Sequence, residues 1–180
     1  DRILAERMGV WCYDRDILTI AAERIGNEEL TEDTINDLNY KRNDVASAGI
    51  TGVMGMGNIP IYNQMFLEQA KIIRKLANYG SAVFLGRCAD YILKDIKNCT
   101  SVYLYADREF RKNRVKEIYG SNAEIMDKEE KNRADYYNYY TGNRWGDINN
   151  YDFAINTSKV SFEEAADLIY RFAKDKQKNL

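Results

Sequence analysis

Arg87 follows a short apolar run, SAVFLG, and precedes CADYIL, a segment with the apolar spacing of a helix. A guanidinium at the end of a buried strand is always charged, planar, and able to grip two phosphate oxygens at once. Open parallel sheets bind ligands just beyond the carboxyl ends of their strands, where the start of a following helix adds backbone N–H donors. Arg87 therefore reads as an anion-binding residue, with Cys88 and Asp90 facing the same region and able to help recognise a base or a sugar. The competing reading is an ion pair between Arg87 and an acidic side chain across the sheet edge.

The chemistry open to the chain is narrow. Its 180 residues contain no histidine, which removes serine–histidine triads, histidine general bases and most zinc sites. Carboxylates, cations and backbone groups remain, and no metal site is expected from protein side chains. With 26 basic and 28 acidic residues the charge is close to balanced, so neither nucleic acid nor an anionic membrane is an expected partner, and any anion site must be local. Cys12, Cys88 and Cys99 are odd in number, widely spaced and without a CxxC pair, as in reduced thiols of a cytoplasmic protein. No apolar run of about 18 residues and no basic-then-apolar leader pattern occurs, so the chain reads as soluble. Its length suits a single domain over residues 1–180.

The elements that must position these residues alternate. DRILAERMG reads as a helix end stopped by Gly9, VWCYD as a short strand, and DILTIAAERIG as a helix that Asp14 can cap. TEDTINDLN is a further helix, and residues 43–60, rich in glycine and holding the single proline, are a mobile loop. YNQMFLEQAKIIRKLANYG carries a wide apolar stripe through Phe66, Ala70, Ile73 and Ala77. SAVFLG and SVYLYA look like strands covered on both faces, CADYILKDI and DREFRKNRVKEIYG like helices. NAEIMDKEEKNRADYYNYYTG and SFEEAADLIYRFAKDK are helices flanking a last short strand, YDFAINT. Such alternation implies a parallel sheet with helices on both faces.

Several charged positions have two readings. Arg111 and Arg114 are three apart, hence on one helix face that starts at the ligand edge of the sheet, yet DREFRKNRVKE is mixed enough to be a solvated face. Lys128, Lys131, Arg133 and Arg144 lie in DKEEKNRADYYNYYTGNR, where Glu124 with Lys128, Asp127 with Lys131 and Glu129 with Arg133 could be ordinary four-apart pairs. The tyrosines at 136, 137, 139 and 140 span too much circumference for one stripe, so some pack inward and others lie exposed. Trp145, between Gly142 and Gly146, anchors the helix end, and Asp107 and Asp152 cap or terminate their elements.

GRCADYIL behind an apolar strand, together with YYNYYTGNRWGDINNYDFAINTSKVSFEEAADLI further along, resembles the bacterial cytidylate kinase-like family, a branch of the P-loop nucleoside monophosphate kinases. The likeness runs over nearly the whole chain and is strongest at residues 81–93 and 128–169. It implies a three-layer P-loop NTPase-type parallel sheet with helices on both faces and a helical lid at about 121–146. In cytidylate kinases a Gly-Arg-Asp motif at this strand end holds the monophosphate, so the resemblance implies that Arg87 binds the acceptor phosphate; Cys88 replaces that aspartate, which opens the question of base preference. The family normally begins with a strand and a glycine-rich loop of GREFGSGG type, and DRILAERMGVWCYD resembles the segment directly after that loop. The loop is expected in the complete protein.

The resemblance also implies ATP as donor, with Mg²⁺ held mainly by phosphates and water. Phosphoryl transfer depends on positioning and on cancelling charge, so Arg133 is the implied transition-state cation, with Lys131 beside it. Arg111 and Arg114 fall where related kinases approach the donor nucleotide, and Asp14 and Arg144 where they meet the acceptor. The expected activity is ATP-dependent transfer to a small acceptor, most simply a pyrimidine nucleoside monophosphate. A nucleotide-binding regulatory module that transfers nothing is the alternative from another class. Nucleic-acid binding through residues 128–145 conflicts with the acids interleaved there.

Overall fold

The computed structural model describes residues 1–14, 17, 19, 20, 61–120 and 123–179. The helix expected at 31–39 and the loop at 43–60 lie outside the described residues, as does most of the helix after Asp14, in which Ile17, Thr19 and Ile20 are helical.

Gly9 ends helix α1 (Arg2–Met8) in a left-handed conformation, φ 64°, which lets the Val10 N–H reach back to the Ala5 carbonyl at 3.0 Å. Strand β1 (Trp11–Tyr13) follows, then α2 (Ile61–Tyr79) and β2 (Ala82–Phe84). The apolar stripe of α2 makes the core as its spacing predicts: Met65, Ile72 and Ile73 are buried, with Phe66, Ala70, Leu76 and Ala77 packed against them. The helix expected over CADYILKDI is shorter, α3 (Ala89–Ile92), and passes into turns. Beyond it come β3 (Val102–Tyr105), α4 (Arg108–Tyr119), α5 (Ala123–Thr141), β4 (Phe153–Asn156) and α6 (Phe162–Lys178). A reciprocal pair starts α6: Ser161 Oγ accepts from the Glu164 N–H, and Glu164 accepts from the Ser161 N–H.

The strands differ from expectation in one respect. They form two small parallel sheets, β1 with β2 and β3 with β4, instead of one sheet. Among the described residues each strand therefore has a single neighbour, and the strands read as covered on both faces are only partly buried. Leu104 and Tyr105 each keep 45% of their surface exposed and Leu85 keeps 43%. Mixed helices and small parallel sheets are the architecture of an α/β chain. Helix α1 packs on β1, β2 and α6, and α6 packs on β4, so these two helices bridge the sheets; Arg7 and Asp167 fasten them with an ion pair.

Two aspartates clasp the β3–β4 pair at opposite ends. Asp152 accepts from the Ser101 N–H at 2.9 Å and from Lys176 at 2.7 Å. Burial works against its charge, but these donors outweigh it and hold the carboxyl below its ordinary range. Asp107 occupies the N-cap position of α4 without capping it; its carboxylate instead accepts from Asn156 at 3.1 Å and Lys159 at 2.6 Å. Capping, the sequence reading for Asp107, gives way to a cross-strand clasp.

Candidate functional site

Behind β2 the backbone takes an uncommon course. Gly86, Arg87 and Cys88 are all left-handed, with φ of 67°, 58° and 55°, and the Ala89 N–H closes the turn on the Gly86 carbonyl at 3.0 Å. For the two residues with side chains this conformation costs about 1–2 kcal/mol each. Strain of this kind persists where surrounding structure enforces it, and it concentrates at ligand sites. The turn lies at the same end of the parallel pair as Asp14, since Tyr13 is opposite Phe84 and the Leu85 N–H bonds the Tyr13 carbonyl.

The turn carries Arg87 inward, to 3% exposure. A guanidinium keeps its charge even when buried, and burying that charge away from water is costly. Cys88 and Tyr136 are its buried neighbours. Burial, then the Asp90 charge, pushes the Cys88 thiol up, while Arg87 pulls the other way. The thiol is neutral near pH 7 and poorly suited to act as a nucleophile. Tyr136 is likewise raised chiefly by burial, with Gln69 against its hydroxyl.

Asp90, the first-turn acid of α3, receives the Tyr137 hydroxyl at 2.7 Å. Burial raises its pKa, and the Tyr137 hydroxyl with the Asp90 and Tyr91 N–H groups opposes the rise. Burial and the same carboxylate push Tyr151, which joins this network, up to about 12. Because the folded-state pKa of Asp90 is raised, its contribution to stability is fully present below the unfolded value and is lost as pH rises through the folded one. Tyr137→Phe removes a donor to a charged acceptor and should cost about 1.5–3 kcal/mol near pH 7. Below about pH 4, where the carboxyl is protonated in both states, the loss should shrink. Denaturant melts at both pH values check this; an equal loss at each would mean the hydroxyl acts through packing alone.

Helix α5 connects this turn to helix α4. Its C-terminal part is anchored in the core: the Phe66 and Tyr140 rings stack at 4.1 Å, and the Tyr140 hydroxyl donates to Asn63 at 3.1 Å. Tyr136 and Tyr137 are buried and Tyr139 is half exposed, the division expected of the tyrosine run. Trp145 holds the helix end, its backbone N–H donating to Asn138 Oδ1 at 2.7 Å and its ring edge-on to Tyr103. Gly146 lies so close to the Tyr103 hydroxyl that a Cβ there would stand 3.1 Å from it.

The N-terminal part of α5 is clasped to α4 by two arginine–carboxylate pairs, Arg108–Asp127 and Arg111–Glu130, each at 2.5 Å. Asp127 thus pairs across to α4, whereas its four-apart spacing pointed to Lys131. At about 3.6 residues per turn, Glu130, Arg133 and Tyr137 fall within roughly 60° of arc. The same stripe carries the buried Met126 and Thr141, so it is the inward face of the helix. Arg133 is on that inward face and yet exposed, which places solvent-accessible space in front of it. Lys131 is turned about 160° from Arg133 and faces outward with Lys128. Arg144 is exposed beyond the helix end, where its backbone carbonyl receives Asn150 at 3.0 Å.

Arg111 and Arg114 come together at a cleft of about 180 Å³ between the ends of β3 and β4 and the start of α6. Leu104, Tyr105, Phe110 and Phe162 supply apolar walls, Arg114 stacks over the Phe162 ring at 4.3 Å, and Arg111 is braced by the Ala106 carbonyl at 3.1 Å. Apolar walls with two guanidiniums suit a planar ligand carrying anionic groups. A second hollow, of about 230 Å³ between α1 and β1, offers one arginine, one glutamate and the exposed Trp11.

The structure therefore groups the predicted residues into an Arg87–Cys88–Asp90 turn and an Arg111–Arg114 cleft, with Arg133 on the helix between them. Lys131 and Arg144 join neither group. Glu130 and Tyr151 escaped the sequence reading, and Tyr137 entered it only as one of the tyrosine run, although Glu130 and Tyr137 stand three before and four after Arg133, a helical spacing that was available. Equally available was the matched three-residue spacing of Arg108 with Arg111 and of Asp127 with Glu130. Among the described residues no group of three or more Cys, Asp or Glu could hold a metal ion, and no helix is long and apolar enough to cross a membrane.

Comparison with known proteins bears on the fold and the family. The crystal structure of an uncharacterized protein from Eubacterium ventriosum ATCC 27560 is 26% identical to the chain and superposes with a TM-score of 0.66, covering 95% of this chain and 86% of that one. No match is found among curated proteins. Residues 2–159 match the model of the cytidylate kinase-like family, and the chain belongs to that family.

Proposed function

We propose that the chain is an ATP-dependent phosphotransferase acting on a small acceptor, most simply a pyrimidine nucleoside monophosphate. Membership of a kinase-like family supports phosphotransferase chemistry in general. The observation that carries the finer reading is Arg133, an exposed cation on the inward stripe of α5, one turn from Tyr137 at the acceptor turn and one turn from Glu130 at the arginine cleft. In this reading Arg87 grips the acceptor phosphate from the strained turn, with Asp14 at the same strand ends and Cys88 and Asp90 shaping the space beside it. Arg111 and Arg114 receive the donor nucleotide in the apolar cleft. Arg133 neutralises charge on the group in transit, which needs little covalent help from protein. Lys131 faces away and takes no part.

Mg²⁺ fits this arrangement as an ion carried by the nucleotide phosphates and water, since the described side chains supply no acidic cage. It would offset phosphate charge there. The three-layer P-loop-type sheet is part of the proposal: a strand laid between β2 and β3 would join the two parallel pairs into one sheet, with α1 on the first pair and α6 on the second already packed against each other.

The test is ADP release from ATP by the full-length protein, run against each common nucleoside monophosphate. Turnover of CMP, UMP or dCMP is the expected result. ATP binding with no turnover of any acceptor would overturn the reading and favour a nucleotide-binding regulatory module.

A further inference from the structure

Glu130 stands where a donor phosphate would compete with it. Arg111 is one of two cations of the apolar cleft, and its Nη1 is held by Glu130 at 2.5 Å while Nε is fixed by the Ala106 carbonyl. Both partners are about two-thirds covered, with 32% and 34% of their side chains exposed, so the pair is less screened than a surface ion pair. The neighbouring Arg108–Asp127 pair links the same two helices but is more open, at 53% and 47%, and Arg108 does not line the cleft. Two clasps of the same chemistry thus differ in one respect: only one occupies a cleft cation.

We propose that Glu130 is a displaceable counter-ion for Arg111, holding that guanidinium in place until the phosphates of a donor nucleotide take it over, and thereby latching the N-terminal half of α5 to α4 in the nucleotide-free protein. The inference rests on the cleft being the donor site. A carboxylate offers two acceptor oxygens, whereas a triphosphate offers more charge and more oxygens to the same planar fork. Phosphates that engage the Nη1 edge compete there with Glu130 for the same donors, so ATP binding works against the Glu130–Arg111 pair. Once Glu130 is released, the N-terminal part of α5 keeps only the more open Arg108–Asp127 clasp to α4, while Phe66, Asn63 and Asp90 keep the Tyr137–Tyr140 end fixed. Arg133 lies between these two parts. Glu130 is accordingly a positioning residue that acts through Arg111.

Calorimetric titration of Mg²⁺–ATP into the full chain tests this, using wild type, Glu130→Gln, Asp127→Asn and Arg111→Gln, with thermal melts to confirm folding. Glu130→Gln keeps the side chain's length and removes its charge, and should tighten ATP binding by about 5–10-fold, the scale of a typical coupling between sites. Asp127→Asn loosens the helix pair equally and should change affinity by less than about twofold. If Glu130→Gln binds ATP no more tightly than Asp127→Asn while Arg111→Gln binds it weakly, the latch is wrong and the donor cleft stands. If Arg111→Gln binds ATP as wild type does, the cleft is not the donor site and both readings fall.

Discussion

Arg133→Ala should lower kcat for phosphoryl transfer by about a thousandfold or more, the scale measured for arginines that neutralise transferring phosphoryl charge. The KM values for ATP and for the acceptor move little, because a cation that engages only the developing charge contributes to the transition state and not to ground-state binding. Steady-state kinetics with both substrates varied separates these effects. A large rise in either KM with kcat preserved would make Arg133 a binding residue.

Arg87→Lys should produce the opposite pattern. The substitution keeps a positive charge on the strained turn but loses the planar fork, so acceptor KM should rise by about thirty- to a hundredfold while the KM for ATP is unchanged. Arg87→Ala should in addition destabilise the fold by about 2–4 kcal/mol, because it leaves space in a core position at 3% exposure. The lysine variant therefore reads the function and the alanine variant the packing. Equal, small effects of both on acceptor KM would mean that Arg87 supports the core and touches no substrate.

Much of the fold was legible because local signals agreed. Gly9, Gly120 and Gly142 stop helices in left-handed conformations where the apolar period ends, and Phe66, Ile73 and Ala77 mark the buried face of α2. Sheet organisation was less legible. An apolar tetrapeptide such as VYLY reads the same whether one neighbour or two will cover it, and only pairing shows that Leu104 and Tyr105 stay half exposed. Charge partners were the least legible. Asp127 has Lys131 four residues away and yet finds Arg108, because two packed helices present matching three-residue spacings that no single-helix rule weighs. Arg87 could be recognised as special, but the left-handed turn that buries it could not, since neither Arg87 nor Cys88 is a residue that favours positive φ.

A bisubstrate ligand, adenosine and cytidine joined through five phosphates, probes the arrangement most directly. Glu130 and Tyr137 lie roughly 10 Å apart along α5, which places the arginine cleft and the acceptor turn within reach of one bridged molecule. Its dissociation constant, measured by calorimetry, should be at least about a hundredfold below that of ATP or CMP alone, as expected when a second binding event becomes intramolecular. Arg87→Lys and Arg111→Gln should each remove most of that gain. A bridged ligand that binds no more tightly than ATP, and that responds to only one of the two substitutions, would show that the two cationic sites do not serve a single transfer.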